Sequence, residues 1–321
     1  MRLEELPKVE LHLHLDGSVR TKTAGELLNK SEKEIEKDMI AMAECNNLND
    51  YLTKFEIPEM IMQTKDNLER VAKELAEDLK KENVIYAEVR FAPMKHVKKG
   101  LSGEEVIDSV LNGLKQVDIK TNLILCMMRG SSYKENDEVI ELAKKYLNKG
   151  VCAIDLAGAE AMYKTCLYKD LFDKANKLEI PFTIHAGEAD GKDSIESAIN
   201  FGAKRIGHGI RILEDMNLIN LVKEKDILLE VCPTSNIQTR CVENYSTHPI
   251  KYLFERNIPV SISTDNRTVS NTTLTDEYEH LINELNFTIE DIIKMNRMAI
   301  SHAFISDEEK QELLRVIKTT S

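Results

Sequence analysis

An α/β fold, a (β/α)8 TIM barrel with extra helices after strand 1, is what three features of this 321-residue sequence predict. Eight short segments rich in apolar and β-branched residues recur along the chain, amphipathic helical patterns fill the intervals, and no Pro/Gly/Ser linker divides it. The segments are "KVELHLHL" from Lys8, "VIYAEVRFAP" from Val84, "NLILCMMRG" from Asn122, "VCAIDLAG" from Val151, "PFTIHAGE" from Pro181, "RIGHGIRI" from Arg205, "ILLEVCPTS" from Ile227 and "PVSISTDN" from Pro259. Several are near-continuous apolar runs, the pattern of strands buried on both faces of a parallel sheet.

The first strand leads into a long interval, residues 18 to 75, that reads as a helical excursion over one barrel end and contains the solvated stretch Asn29 to Asp38. Leu68, Val71, Ala72, Leu75, Ala76 and Leu79 then share one face of a helix after Lys65. Ser102 to Glu105 has capping-box spacing ahead of Val106, Ile107, Val110, Leu111 and Leu114. Gly150 follows Leu147 where a helix should stop, Asp193 to Glu196 opens a helix before the sixth strand, and Ser306 to Glu309 opens a terminal one. From the second segment onward the starts recur every 22 to 38 residues, the size of a βα unit. Periodicity alone leaves a doubly wound open sheet as the alternative; the eightfold alternation favours the barrel, with residues 1–321 as one domain.

Lys plus Arg number 43 against 55 Asp plus Glu, a formal net charge of −12 with no clustered basic stripe. Nucleic acid is a poor partner for such a chain. The opening "MRLEELPKVE" has no apolar signal core, and no segment approaches a membrane span in length. Six scattered cysteines without a C-x-x-C pair sit mostly in apolar runs, as small buried hydrophobes. The expectation is a reduced, cytoplasmic protein with no membrane partner.

Unusual polar residues fall at the strand ends. His12 and His14 end the first, His185 the fifth, His208 the sixth and Asp265 the eighth; in a barrel these ends meet at the C-terminal face, where active sites sit. Residues two apart on a strand share a face, so His12 and His14 can both turn toward one ion. Three imidazoles and a carboxylate suit zinc or a similar divalent cation, with room for water. His-x-His alone is a weak signal that occurs by chance in ordinary strands. The further groups at strand ends strengthen it.

Glu188 lies three residues past His185, placed to approach a substrate as general acid or base without ligating. Glycines flank His208 and permit close approach. Asp265 can bind metal and also accept a proton from bound water. Each has an ordinary alternative: a helix N-terminal charge for Glu188, a backbone-satisfied core histidine for His208, an N-cap for Asp265 or Asn266. His96, His248, His280 and His302 read as surface or structural residues.

Together, His12-Leu13-His14-Leu15-Asp16-Gly17, Asp155-Leu156-Ala157-Gly158, His185-Ala186-Gly187-Glu188, Gly207-His208-Gly209 and Ser263-Thr264-Asp265-Asn266 closely resemble the adenosine deaminase family. "YAEVRFAP" from Tyr86 and "CPTSN" from Cys232 add to the likeness, which runs in order from about Leu6 to the terminal helix. The resemblance implies one zinc ion per chain held by His12, His14, His185 and Asp265, and a purine nucleoside as the small-molecule substrate. It implies that Glu188 protonates purine N1 as hydroxide attacks C6, while His208 orients the hydroxide and stabilises developing charge. Gly158 would offer its N–H to N3, Asp16 would bind the ribose end, and His14 would also count among the substrate-binding residues. The other zinc-deaminase design, H-x-E with P-C-x-x-C, is absent.

Three departures stand out. Asn266 replaces the second aspartate of many family members, and its neutral amide can still donate to N7. Ala159 follows Gly158 where many carry an acid. Arg267 to Asn271 lacks the proline often found there. The rivals to adenosine deamination are deamination of adenine, adenosine monophosphate or a modified adenine nucleoside, and other metal-dependent amidohydrolase chemistry. An anionic Asp16 would repel a 5′-phosphate, and the motif around it, His12 to Gly17, holds no Lys or Arg.

Overall fold

The computed structural model describes residues 2–41 and 45–318; Met1, residues 42–44 of the helical excursion and residues 319–321 lie outside the described residues. Among the described residues eight strands are present: β1 (Lys8–His14), β2 (Val84–Phe91), β3 (Lys120–Met128), β4 (Val151–Ala157), β5 (Thr183–Ala186), β6 (Arg205–His208), β7 (Leu228–Val231) and β8 (Val260–Ile262). They lie in chain order as two four-stranded parallel arcs, β1 to β4 and β5 to β8. Both seams between the arcs carry backbone hydrogen bonds. At one, the Ile154 N–H donates to Pro181 O at 3.0 Å; at the other, Asp265 N–H donates to His12 O at 3.0 Å and His14 N–H to Asp265 O at 2.7 Å. The architecture is a (β/α)8 barrel.

Where the sequence reading ends the eighth strand at Asp265, regular pairing stops at Ile262. Asp265 stands three residues on, at φ +62°, because its N–H and C=O both turn across the seam to pair with β1. The helix periodicity is realised: Lys65–Lys81 buries all six residues of the face named above. Ser102 caps Gly103–Leu114 with a reciprocal Glu105 contact, and Ser306 does the same for Asp307–Lys318. One helix starts slightly earlier than its acidic signal: Gly191 is the N-cap of Lys192–Phe201, so Asp193 sits within the first turn. Among the described residues no helix is long and apolar enough to cross a membrane.

The barrel interior is ionic where the strand pattern suggested apolar filling. Glu88, Arg90, Asp155, Arg205 and Glu230 are fully buried. They alternate in sign: Arg205 forms ion pairs with Glu88 and Glu230 (2.5 and 2.7 Å), and Arg90 hydrogen-bonds Glu230 and Asp155 (2.8 and 3.0 Å). Such a ladder contributes little net stability, since desolvation offsets the attraction. It does hold Glu230 and Asp155 as fixed anions beneath the strand ends.

Candidate active site

A cavity of ≈ 280 Å³ opens at the C-terminal ends of the strands. His14, Asp16, Gly158, His185, Glu188, His208, Asp265 and Asn266 all line it. His12 lies directly below, fully buried, with its ring centroid 4.5 Å from that of His185 and 4.9 Å from that of His208. Leu48, Tyr51, Leu52 and Phe55, from the excursion after β1, cover one side of the cavity.

His12, His185, His208 and Asp265 each offer a ligand atom within 4.8 Å of all the others. The set drawn from the sequence contains His14 instead of His208. His14 belongs to the same centre: its Nε2 lies 3.3 Å from His185 Nε2 and 3.4 Å from Asp265 Oδ1. Gly207 permits this crowding, because a Cβ there would lie 3.0 Å from the His12 ring. The donors suit a divalent ion. His12 Nε2 is buried with no hydrogen-bond partner while it faces Asp265 Oδ1 at 3.4 Å, and imidazole with carboxylate is a zinc-type donor set.

Anions from the barrel interior orient these rings. His12 Nδ1 meets Glu230 Oε2 at 2.9 Å and His185 Nδ1 meets Asp155 Oδ2 at 2.8 Å, leaving each Nε2 turned to the centre. Carboxylate–histidine pairs of this kind fix tautomer and ring orientation in metal sites. Asp155 is held well below the usual carboxylate range: burial opposes this, but His185 and Arg90 prevail. Asp265 is likewise lowered against burial, by His12, His14 and His208, and its Oδ2 accepts from Ser235 Oγ at 2.6 Å.

Glu188 is buried, 3.5 Å from His208 Nε2. Burial, then the neighbouring Asp265 and Glu160, raise its carboxyl well above the ordinary range, which favours its protonated form. The loop that presents it is held by a residue the sequence reading passed over. The buried Glu160 carboxylate accepts the N–H groups of Gly187, Glu188, Ala189 and Asp190 at 2.7 to 3.1 Å, and the Ser194 hydroxyl. Its neighbour Ala159, the departure noted above, lines the cavity itself.

Gly158 adopts φ +101°, a conformation open mainly to glycine, and so presents backbone to the cavity. Asn266 donates from Nδ2 to Tyr51 OH at 3.0 Å, leaving its second N–H for a ligand; its Oδ1 is buried without a partner. Asp16 is buried with an unpartnered Oδ1, and burial together with Glu59 raises its pKa to about 7. Two cations absent from its sequence neighbourhood also line the cavity, Lys95 and Arg129. Glu59 stands 3.9 Å from Lys95, and Arg129 donates from Nη1 to Tyr163 O and from Nη2 to Thr165 Oγ1 and His185 O, with Nε unpartnered. Of the histidines read as surface or structural, His96 and His248 are buried against the site. His96 lies 4.0 Å from Asp16, and His248 is 3.3 Å from Asn236, the partner of His208.

Imidazoles and a carboxylate gathered at the C-terminal mouth of a parallel barrel, beside a buried glutamic acid, are the parts of a metal-dependent hydrolase. A profile of the family described as Adenosine deaminase matches residues 7–320. An adenosine deaminase of Clostridium perfringens is 45% identical over 326 residues, covering 98% of each chain. One from Shewanella woodyi is 43% identical, covering 98% of this chain and 99% of its own. Among solved structures, an Arabidopsis N6-mAMP deaminase superposes with a TM-score of 0.89 at 26% identity, covering 99% of both chains. The chain belongs to the adenosine deaminase family.

Proposed function

We propose that this protein hydrolyses adenosine, and 2′-deoxyadenosine, to inosine or 2′-deoxyinosine and ammonia, as a single cytoplasmic domain in purine salvage. The observation that carries the choice of substrate is the full-length likeness at 45% to a relative named adenosine deaminase, against 26% to the N6-mAMP enzyme. The Asp16 carboxyl in the cavity, with its Oδ1 unpartnered, supports it, since it can accept a ribose hydroxyl and in its ionised form disfavours a 5′-phosphate.

Zinc, one ion per chain, would be held by His12, His14, His185 and Asp265 and would supply a water acidified to a pKa of about 7. Glu188, whose protonated form burial favours, gives its proton to purine N1 and makes C6 electrophilic. Water adds at C6, the proton it gives up passes on to the departing nitrogen, the C6–N bond breaks and ammonia leaves, and the proton of the C6 hydroxyl restores Glu188. Asp265 takes a proton from the attacking water, and His208 stabilises the charge that develops on its oxygen. Gly158 N–H faces N3, the free N–H of Asn266 faces N7, and His14 and Asp16 hold the ribose end.

The experiment is side-by-side ultraviolet assay of adenosine, adenine and adenosine monophosphate. Adenosine is expected to lead by at least a factor of about 10², two discriminating hydrogen bonds at roughly 1.4 kcal/mol each. A preference for either of the others would overturn the assignment of Asp16.

A further inference from the structure

His248 and Asn236 take no part in the steps above, yet they form a hydrogen-bond chain whose direction the backbone sets. The Ile250 N–H donates to His248 Nδ1 at 3.2 Å. Burial lowers His248 to a pKa of about 3, so its ring is neutral and has a single N–H. With Nδ1 accepting, that hydrogen sits on Nε2, which faces Asn236 Oδ1 at 3.3 Å. The Asn236 amide is thereby oriented with its oxygen toward His248 and its nitrogen toward His208 Nδ1, at 3.0 Å. An amide nitrogen only donates. His208 Nδ1 therefore accepts, and the ring proton stands on Nε2, the atom that faces Glu188 at 3.5 Å.

We infer that His248 and Asn236 are positioning residues that hold His208 as its Nε2–H tautomer, a hydrogen-bond donor to the reacting centre and not a metal ligand. His12 and His185 are backed in the opposite sense. Their Nδ1 atoms face the carboxylates of Glu230 and Asp155 at 2.9 and 2.8 Å, an arrangement that favours the hydrogen on Nδ1 and turns each Nε2 to the centre. The same cluster of imidazoles is thus divided into ligands and a donor by what stands behind each ring. The assignment chooses His14 over His208 as the third imidazole ligand. A carboxylate behind His208 would turn it into another ligand-type ring; the neutral amide makes it a donor.

The catalytic consequence rests on the deaminase reading, whereas the tautomer does not. Long-range proton–nitrogen spectra of histidine-labelled, metal-free protein read the tautomer directly. The wild type is expected to show His208 protonated at Nε2. Asn236→Asp, which accepts from both neighbours, is expected to move that proton to Nδ1 and to lower kcat about 10²- to 10⁴-fold, the scale of a wrong catalytic tautomer, with KM within about threefold. His248→Phe removes the donor to Asn236 and is expected to leave mixed tautomers and a smaller loss of kcat, about tenfold. His248→Gln, which restores a donor, should recover most of it. An Nδ1–H signal in the wild type overturns the proposal, as does kcat within twofold of wild type in Asn236→Asp. If Asn236→Asp does not fold, equal kcat in His248→Phe and His248→Gln overturns it. A wild type inert toward adenosine refutes the deaminase reading, and the spectra then decide the tautomer alone.

Discussion

Replacing Asp155 with asparagine removes one negative charge from the barrel interior at a point where two consequences separate. Asp155 Oδ2 faces both His185 Nδ1 and Arg90 Nη1, at 2.8 and 3.0 Å, with no exposure to solvent. Asparagine can still accept from His185 through Oδ1, but it no longer supports ligand basicity, and changes to such backing carboxylates cost about 10- to 100-fold in metal affinity. Arg90 keeps its 2.8 Å contact with Glu230, so it loses one of two anions. Breaking a buried pair outright costs about 3–5 kcal/mol; with Glu230 retained, the lower figure is the relevant one. For a chain of this length about 1.5 °C of Tm corresponds to each kcal/mol, so the metal-free variant should melt roughly 5 °C lower. Calorimetry of metal-free protein measures the second effect, and competition with a chromophoric chelator measures the first. Metal affinity within threefold of wild type would refute the claim that Asp155 tunes His185, whatever the melting temperature did.

Glu188→Gln should lower kcat by about 10² to 10⁴, the usual contribution of a positioned proton donor, with metal content and KM nearly unchanged; a smaller loss would remove Glu188 from that role. Asp16→Asn should cut kcat/KM for adenosine by roughly tenfold, one hydrogen bond to a charged group, and narrow the gap to adenosine monophosphate. A wider gap would contradict the reading of Asp16 as the group that excludes phosphate. Glu277, buried with hydrogen bonds from Thr234 N–H and Thr272 Oγ1, has its pKa raised to about 8 by burial, against those donors. Its proton binds more tightly in the folded state than in the unfolded chain. The stabilisation is therefore complete at low pH and is lost as pH rises through 8. Glu277→Gln should flatten that loss, worth a few kcal/mol at about 1.4 per pKa unit, when urea midpoints are compared at pH 5 and 9. An unchanged difference between the two pH values would refute it.

The barrel and the strand-end residues were legible because their signals are local. Apolar runs at βα spacing mark strands, and His12, His14, His185, His208 and Glu188 fall where such strands end. Asp265 escaped correct placement since its conformation depends on pairing with β1, over 250 residues away. Glu88, Arg90, Arg205 and Glu230 stood unread within strands that look apolar. Their charges make sense only across the barrel, as with Glu230 beneath His12 at a separation of 218 residues. Glu10, His12 and His14, like Glu88 and Arg90, alternate at the two-residue period of one strand face, which was the available clue. Glu160 and His248 left no comparable trace, because each acts on backbone or amide groups of a segment distant in sequence.

Adenosine turnover by purified protein, followed by ultraviolet absorbance while the metal is stripped and returned, tests the central claim most directly. The account predicts that a strong chelator abolishes turnover and that one equivalent of zinc per chain restores it. Turnover that survives complete removal of metal, or that returns only with a second equivalent, would contradict it.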